Sequence, residues 1–181
     1  MRDPPADAAE FAGMIAENWP LVKIALLEHR APSDADPSFH AVRYSRQQDG
    51  LSTYLIAWDG DRPTGSCEVR WDGPAATDVR KTGEECPELN GLVVWPEAMR
   101  AREVGSALIS AAESLARERG RKRIGLGVEA GNSRAASLYT RLGYSVRTSY
   151  IDRWSYRDLV GVEHNHADAC IFMTKELRDH I

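Results

Sequence analysis

The sequence predicts an α+β fold with a mixed, mostly antiparallel central sheet flanked by helices. Three observations lead to this prediction. Two strand patterns are joined by the turn sequence DGDRP at residues 59–63. A strand–helix–strand pattern covers residues 88–129 and predicts one right-handed parallel crossover. Two more strand patterns then complete the sheet, and the length of 181 residues predicts a single domain over residues 1–181.

The first part of the chain combines a helical pattern with a hairpin. Apolar residues at helical spacing predict a helix over residues 8–30, which Pro20 is expected to bend or split. Residues 31–38 have the composition of a loop. The predicted strands, a weak one followed by the two strands of the hairpin, cover residues 39–45, 52–58 and 64–71.

A long polar connection over residues 72–87 leads to the crossover unit. The strand 88–95 contains Asn90-Gly91, which predicts a β-bulge. A helix follows, with Val104, Leu108, Ala111 and Leu115 on one face, and it ends before Gly120. The remaining predicted elements are a strand over 121–129, a helix over 133–142 capped by Gly143, and strands over 144–150 and 168–175 around a polar insert.

The bulk composition excludes several classes of protein. The net charge of −4 gives no overall attraction to nucleic acid or to an anionic membrane. No apolar run is long enough for a signal peptide core or a membrane span. The three cysteines lack CxxC spacing, so neither a zinc site nor a disulfide framework is expected. These observations favour a cytoplasmic protein with reduced thiols and no metal.

The start of the crossover helix carries a local positive charge. Seven Lys/Arg stand against three Glu between Arg100 and Arg123, a net of +4. The first turn of a helix has unpaired N–H groups and a partial positive charge, so it attracts anions, above all phosphates. Gly105 would allow a close approach to the backbone, and Arg100 and Arg102 would add charged donors. An ordinary helix with solvated arginines would show the same residues.

A second segment adds to this pattern. The sequence GVEAGNSRAASLYTRLGY, residues 127–144, places Asn132 after a strand and Tyr139 on the short helix that follows. Together with Val94-Trp95-Pro96, Arg100, Gly105-Ser106-Ala107-Leu108, Ala135, Leu138 and Leu142-Gly143-Tyr144, the array resembles the GNAT superfamily of N-acetyltransferases. The specific motifs cover about 55 residues, and the order of elements agrees with this family over most of the chain.

The resemblance implies the GNAT fold, with a splayed pair of central strands, and acetyl-coenzyme A as cosubstrate. The loop before the helix would wrap the coenzyme pyrophosphate, and the later motif would hold the pantetheine. The residues that match these coenzyme-binding positions are Leu92, Val93, Val94, Arg100, Ala101, Arg102, Glu103, Val104, Gly105, Ser106, Asn132, Ala135 and Tyr139.

One of these positions departs from the family pattern. Glu103 stands where the first glycine of the pyrophosphate loop is expected. A carboxylate near a pyrophosphate repels it, and the repulsion is small only where water screens the two charges. We therefore expect Glu103 to weaken the binding of the coenzyme without abolishing it.

The resemblance also implies an acetyl transfer to an amine, which needs an acid, a base and an oxyanion donor. Tyr139 matches the tyrosine that protonates the leaving thiolate, although an aromatic residue on a buried helix face would look the same. Backbone N–H groups of residues 92–94 are candidate oxyanion donors. The base stays open between Glu88, Glu68, water and the pair His164 and His166. The spacing of the two histidines would also suit a metal, but no third ligand is evident nearby.

The acceptor is predicted less sharply. Acidic stretches such as GEECPE at residues 83–88 suit a cationic amine, and a small molecule is favoured over a protein. The edge strands near the end of the chain predict a homodimer. The alternative function is a non-catalytic module that binds or senses acyl-coenzyme A. A nucleotide-binding domain is excluded by the absence of a GxGxxG or a P-loop motif.

Overall fold

The computed structural model describes residues 14–17, 19, 22, 26, 29–30, 32–36, 38–95 and 103–178. Within these residues the strands are β1 (Met14–Ile15), β2 (Ser52–Asp59), β3 (Arg62–Arg70), β4 (Glu88–Val94), β5 (Arg123–Glu129), β6 (Ser145–Arg157) and β7 (Glu163–Glu176). The helices are α1 (Ser38–Gln48), α2 (Thr77–Arg80), α3 (Val104–Glu118) and α4 (Ser133–Arg141). None of the described helices has the length and hydropathy of a membrane span.

The strands form one sheet in the order β1-β2-β3-β4-β5-β7-β6. All neighbouring pairs are antiparallel except β4 and β5, which are parallel and joined through α3. This arrangement confirms the predicted α+β class and the single crossover. Gly120 and Gly143 end α3 and α4 with positive φ angles of 68° and 97°, as their positions after the helices predict.

The main core lies between α3 and the sheet. Val104, Leu108 and Ala112 of α3 pack on apolar residues of the central strands, and all three are fully buried. Glu113 is buried on the same helix but is not left unpaired. Its carboxylate accepts hydrogen bonds from Tyr144 Oη at 3.0 Å and from Lys175 Nζ at 2.9 Å. This buried network joins α3 to β7 and fixes the helix against the sheet.

Residues 39–45 form part of helix α1, so the predicted strand there is wrong. The inward side chains follow helical spacing: His40 is buried, and Tyr44 packs against the small cluster around Tyr54. Gln47 then bonds to the backbone of two neighbouring segments, donating to the Ala16 carbonyl and accepting from the Tyr54 N–H. Polar residues thus occupy the inner face of the helix and hide its periodicity from a hydrophobicity pattern.

The predicted helix over residues 8–30 lies largely outside the described residues. Where the chain is described, Met14 and Ile15 form a strand that pairs with Ile56 and Leu55 of β2, which contradicts a helix at these two positions. Further along, Val22 and Leu26 are buried in a cluster with Tyr54 and Ile56.

The polar insert predicted between the last strands is also wrong. Residues 150–157 and 163–167 continue β6 and β7, which pair from Ser145↔Thr174 to Arg157↔Glu163. The Asp158 carboxylate accepts the N–H groups of Val160 and Val162 and so closes the turn at the tip. Because both faces of the outer part of this hairpin, residues 151–157 and 163–169, are largely exposed, its sequence lacks the hydrophobic alternation of a half-buried strand.

The sheet opens between β4 and β5. Their pairing is confined to Glu88↔Gly125 and Leu89↔Leu126. Immediately beyond, β4 bulges against β3, because Asn90 pairs with Glu68 and Val93 with Ser66, which leaves Gly91 and Leu92 opposite Cys67 alone. Gly91 has a φ of 62°, a conformation that glycine adopts without strain. The predicted bulge at Asn90-Gly91 and the predicted splay of the central strands are both confirmed.

Candidate active site

A cleft of about 490 Å³ lies where β4 and β5 part. Its walls come from four regions that are distant in sequence: α1, the loop and first residues of α2, strand β4 with the end of β5, and the middle of the β6–β7 hairpin. Tyr150 closes one side against the backbone of β5, and a Cβ at Gly127 would collide with its hydroxyl. The cleft therefore depends on a glycine in β5 for its depth.

Glu88 is the buried carboxyl group of this cleft. It is the first residue of β4, and its Oε2 accepts a hydrogen bond from the Ala75 N–H at 2.8 Å and one from Asn90 Nδ2 at 3.3 Å. Arg70 Nε lies 3.8 Å from the same oxygen. Burial outweighs these contacts and raises the pKa of Glu88 to about 7. A carboxyl group with this pKa exchanges a proton near neutral pH, which a general base must do.

Arg43 approaches the cleft from α1. Its guanidinium lies 4.4 Å from the centre of the Phe39 ring and 3.9 Å from the nearest Glu68 oxygen. The same group covers the bulge, since a Cβ at Gly91 would lie 2.5 Å from Arg43 Nη2. Arg43 was not predicted from the sequence, because residues 39–45 were expected to form a strand and no basic side chain was expected near β4.

The start of α3 lies beside the open edge of β4. Glu103 precedes the helix with a φ of 64°, which makes it the one non-glycine with positive φ among the described residues. Its side chain makes no capping hydrogen bond, and the residue is exposed. Gly105 follows in the first turn, with Val94 as its nearest neighbour. Arg100, Ala101 and Arg102 lie outside the described residues.

The remaining predicted coenzyme residues lie on both sides of the opening. Val93 lines the cleft, Val94 is buried, and Leu92 packs against the main core. Val104 is fully buried and Ser106 is half-buried in the first turn of α3. The other predicted positions, Asn132, Ala135 and Tyr139, belong to α4 and its cap.

Asn132 caps α4, because its side-chain oxygen accepts the Ala135 N–H at 3.1 Å. This contact gives both residues a structural role that is sufficient to explain their spacing. Tyr139 is half-buried against the main core, and its ring lies edge-on to Tyr144 with centroids 6.1 Å apart. Burial raises the pKa of Tyr139, so the phenol keeps its proton at neutral pH. Its hydroxyl has no hydrogen-bond partner among the described residues, and its ring is not part of the cleft wall.

Glu68 and the two histidines lie away from the cleft wall. The Glu68 carboxylate is held by Arg46 Nε at 2.7 Å and by Ser52 Oγ at 2.5 Å, so it is engaged in a buried ion pair. His164 and His166 stack on Tyr156 and Trp154 along the hairpin. Ligand atoms of His164, Asp34 and Asp158 lie within 4.8 Å of one another. The residues that could bind a metal together with His164 are therefore these two aspartates and not His166.

Asp152 and Trp154 of β6 line the cleft. The sequence leaves Trp154 open between an acceptor pocket and core packing, and Asp152 was not predicted from it. Burial, followed by the charge of Asp168, raises the pKa of Asp152. Trp154 donates its indole N–H to Asp168 at 2.7 Å. No local hydrophobic pattern marks these residues, because the hairpin is largely exposed at their positions.

An opening in a sheet next to a helix start, with a near-neutral carboxyl group beside it, suits an enzyme that binds an extended cosubstrate and moves a proton. The sequence matches the model of the acetyltransferase (GNAT) family over residues 19–144. The chain therefore belongs to this family and is an acetyltransferase. No curated protein matches the sequence.

Solved structures agree with this family. A Salmonella typhimurium protein, yncA, solved with its cofactor acetyl-CoA, is 19% identical with a TM-score of 0.61, and the match covers 94% of this chain and 95% of that one. The ribosomal-protein-S18-alanine N-acetyltransferase of Escherichia coli is 18% identical, with coverages of 93% and 95% and a TM-score of 0.61. Aminoglycoside 6′-acetyltransferase type Ii is 20% identical, with coverages of 93% and 99% and a TM-score of 0.64. These likenesses confirm the predicted fold.

Proposed function

We propose that the protein transfers an acetyl group from acetyl-coenzyme A to a primary amine, with Glu88 as the base. The observation that carries this proposal is the position of Glu88. It is buried in the cleft at the point where β4 and β5 part, and its pKa is about 7. At neutral pH, a large fraction of Glu88 is ionised and able to take a proton from an ammonium group.

The residues around the gap fit the predicted cosubstrate. The edge of β4 beyond Leu89 faces the gap, where an extended amide-containing arm has room to lie alongside it. The first turn of α3 stands next to Val94 and supplies N–H groups for the pyrophosphate. Acetyl-coenzyme A, when bound, supplies an acetyl group on a good leaving thiolate. The proposed binding residues remain those predicted from the sequence, including Arg100, Ala101 and Arg102.

The proton balance assigns a task to each proposed catalytic residue. The amine nitrogen enters as an ammonium group with three protons and leaves as an amide with one. Glu88 takes one proton and passes it to solvent, while the C–S bond breaks as the C–N bond forms. The departing sulfur needs the other proton, and Tyr139 is proposed to donate it. A hydroxyl without a partner among the described residues supports this task, and the tyrosine then regains its proton from the nitrogen.

The acceptor is proposed to be a small-molecule amine. A cleft of about 490 Å³ has the volume of a small-molecule site. The solved relatives include enzymes named for a ribosomal protein and for an aminoglycoside, so the fold itself favours neither kind of acceptor. We also propose a homodimer, and a cytoplasmic location supported by the three free, buried cysteines.

The test is the release of coenzyme A thiol from acetyl-coenzyme A in the presence of a panel of amines. We expect thiol release that depends on both the amine and Glu88, with one acetylated amine formed for each thiol. Glu88→Gln should abolish most of this release while the fold and the coenzyme affinity stay unchanged. Binding of the coenzyme without amine-dependent release would contradict the proposal and would favour a sensing module.

A further inference from the structure

We propose that Asp152 and Asp168 select an acceptor with a second ammonium group, so that the substrate class is an aliphatic diamine. This inference rests on the proposed function, since it concerns the acceptor side of the same cleft. One amine would approach Glu88 and react, while the other would be held by the two aspartates in the middle of the β6–β7 hairpin.

The two aspartates face each other across the hairpin. Asp152 pairs directly with Asp168 in the β6–β7 register. Side chains at directly opposed positions lie on the same face of the sheet, and like charges there destabilise it. Asp152 lines the cleft and is half-buried, so water screens this repulsion less than it would on an open surface. A cation between the two carboxylates would remove the repulsion.

The described part of the chain does not supply that cation. No lysine or arginine within it forms an ion pair with Asp152 or Asp168, although Arg153 is the next residue of β6. The other basic residue of the cleft, Arg43, stacks on Phe39 and lies closest to Glu68. The aspartate pair is therefore able to bind a cationic group of a ligand.

Trp154 gives this position a second means of recognising an ammonium group. It follows Asp152 on the same face of β6, lines the cleft, and is held in place by its hydrogen bond to Asp168. An ammonium group near an indole ring is attracted by the ring's electron density. His166 stacks on the ring with centroids 4.2 Å apart, which fixes the orientation of the indole.

The geometry places Asp152 and Glu88 in the wall of one cleft but on different strands, and Asp168 lies directly opposite Asp152 on β7. Glu88 lies on β4, and the charge of Asp152 is one of the influences that raise its pKa, which reflects their proximity. A short aliphatic chain with an amine at each end would span these two positions. A monoamine would satisfy Glu88 and leave the aspartate pair without its cation.

The experiment compares 1,5-diaminopentane with pentylamine, which has the same carbon chain and a single amine. The kcat/KM of each is measured with the native protein, with Asp152→Asn, and with Asp61→Asn as a control. Asp61 lies in the β2–β3 turn, far along the chain from the cleft residues, and its replacement changes the net charge equally. Calorimetric titration of both amines in the presence of coenzyme A measures binding without turnover.

We expect the native protein to prefer the diamine by about tenfold, the effect of one partly buried ion pair. Asp152→Asn should bring the ratio of the two amines close to one, mainly by raising KM for the diamine, and Asp61→Asn should leave the ratio unchanged. Asp152→Asn should also raise the melting temperature of the free protein, because it removes the repulsion between the carboxylates. A ratio near one in the native protein, or a ratio that Asp152→Asn does not change, would overturn the proposal.

The calorimetric titration tests this proposal independently of the proposed function. If neither amine releases thiol, the proposed function fails for this substrate class, and calorimetry alone decides on the aspartate pair. Tighter binding of the diamine that is lost in Asp152→Asn then supports the pair as an ammonium site. Equal binding of the two amines to the native protein overturns it.

Discussion

At the scale of a single residue, the proposed base Glu88 also affects the stability of the fold. Its carboxyl group has a pKa of about 7 in the folded protein, against an ordinary value of 4.5. Between these two pH values the folded protein binds a proton that the unfolded chain has released. The free energy of unfolding therefore decreases as the pH rises from 4.5 to 7, and this loss remains at higher pH.

Glu88→Gln should separate these two effects. At pH 8 the variant should lose about 10²–10⁴-fold in kcat/KM, the usual contribution of a general base, together with the pH dependence near 7. At the same pH its free energy of unfolding should exceed that of the native protein by about 3 kcal/mol, because a neutral amide replaces a buried charge. Kinetics and denaturant titrations at several pH values measure both.

The stability difference should vanish below pH 4.5, where Glu88 is neutral in both states. Glu84→Gln is a suitable control, since Glu84 forms ion pairs with Arg123 and Arg147 outside the cleft. A Glu88→Gln variant with native activity at pH 8 would exclude Glu88 as the base.

Tyr139 differs from Glu88 in that its packing alone would explain its presence. Tyr139→Phe keeps the ring against the core and removes the hydroxyl, which has no partner among the described residues. If the phenol protonates the leaving thiolate, kcat should fall by one to two orders of magnitude, about 1.4–2.7 kcal/mol of transition-state stabilisation. Steady-state kinetics measures this, and the coenzyme Kd and the melting temperature should hardly change. A variant with native kcat per folded molecule would identify a structural tyrosine.

At the scale of elements, the residue that precedes helix α3 is a glutamate in a left-handed backbone conformation that glycine usually adopts. Glu103 has a φ of 64° and no capping hydrogen bond from its side chain. A non-glycine residue in this conformation costs about 1–2 kcal/mol. The sequence predicts glycine here by resemblance to the family, and the backbone independently has the conformation that favours glycine.

Glu103→Gly and Glu103→Gln should together separate strain from charge. Glycine relieves both, so it should raise the melting temperature and tighten coenzyme binding. Glutamine removes only the charge, so it should tighten binding and leave the melting temperature nearly unchanged. Calorimetry with coenzyme A and thermal unfolding measure these effects. Weaker binding in both variants would mean that the Glu103 carboxylate contributes to the site.

The elements that the sequence predicted well are those that pack on the main core. Helix α3 shows its buried face through helical spacing, whereas β2 and β3 are buried on both faces and show nearly continuous runs of small and apolar residues between turn sequences. Helix α1 was missed because polar residues such as His40 and Gln47 face inward and bond to the backbone. The outer half of the β6–β7 hairpin was missed because ring stacking, rather than burial, holds Trp154, Tyr156, His164 and His166 in register.

At the scale of the whole molecule, the presence or absence of a local sequence pattern explains which residues of the candidate site could be predicted from the sequence. Glu88 and the α3 start belong to the crossover unit, whose motifs are local in sequence. The proposed acceptor side of the cleft is lined by α1, the loop before α2 and the hairpin, which meet only in the folded chain. Asp152 and Arg43 could not be placed in the cleft without the tertiary arrangement, since no local pattern connects them.

The long strand β6 is the basis for the predicted dimer. It stands at one edge of the described sheet and has β7 as its neighbouring strand. Among the described residues, only its last residue, Arg157, accepts a backbone hydrogen bond on the other side, from the Asp36 N–H, so most of that edge is open to a partner. Light scattering at micromolar concentration should give twice the monomer mass of 20.1 kDa. A monomer mass at these concentrations would rule out the dimer and leave the proposed active site unaffected.

The short parallel pairing of β4 and β5 has a consequence for how the molecule opens. Strands β1 to β4 and strands β5 to β7 form two ladders that share two register pairs. Units joined by so few backbone bonds tend to unfold separately in native-state hydrogen exchange. A ligand bound in the gap would contact both ladders. Its binding should therefore slow amide exchange even in strands that it does not contact. The opening that is proposed to admit the cosubstrate should thus leave the free protein less cooperative in unfolding than the protein with its cosubstrate bound.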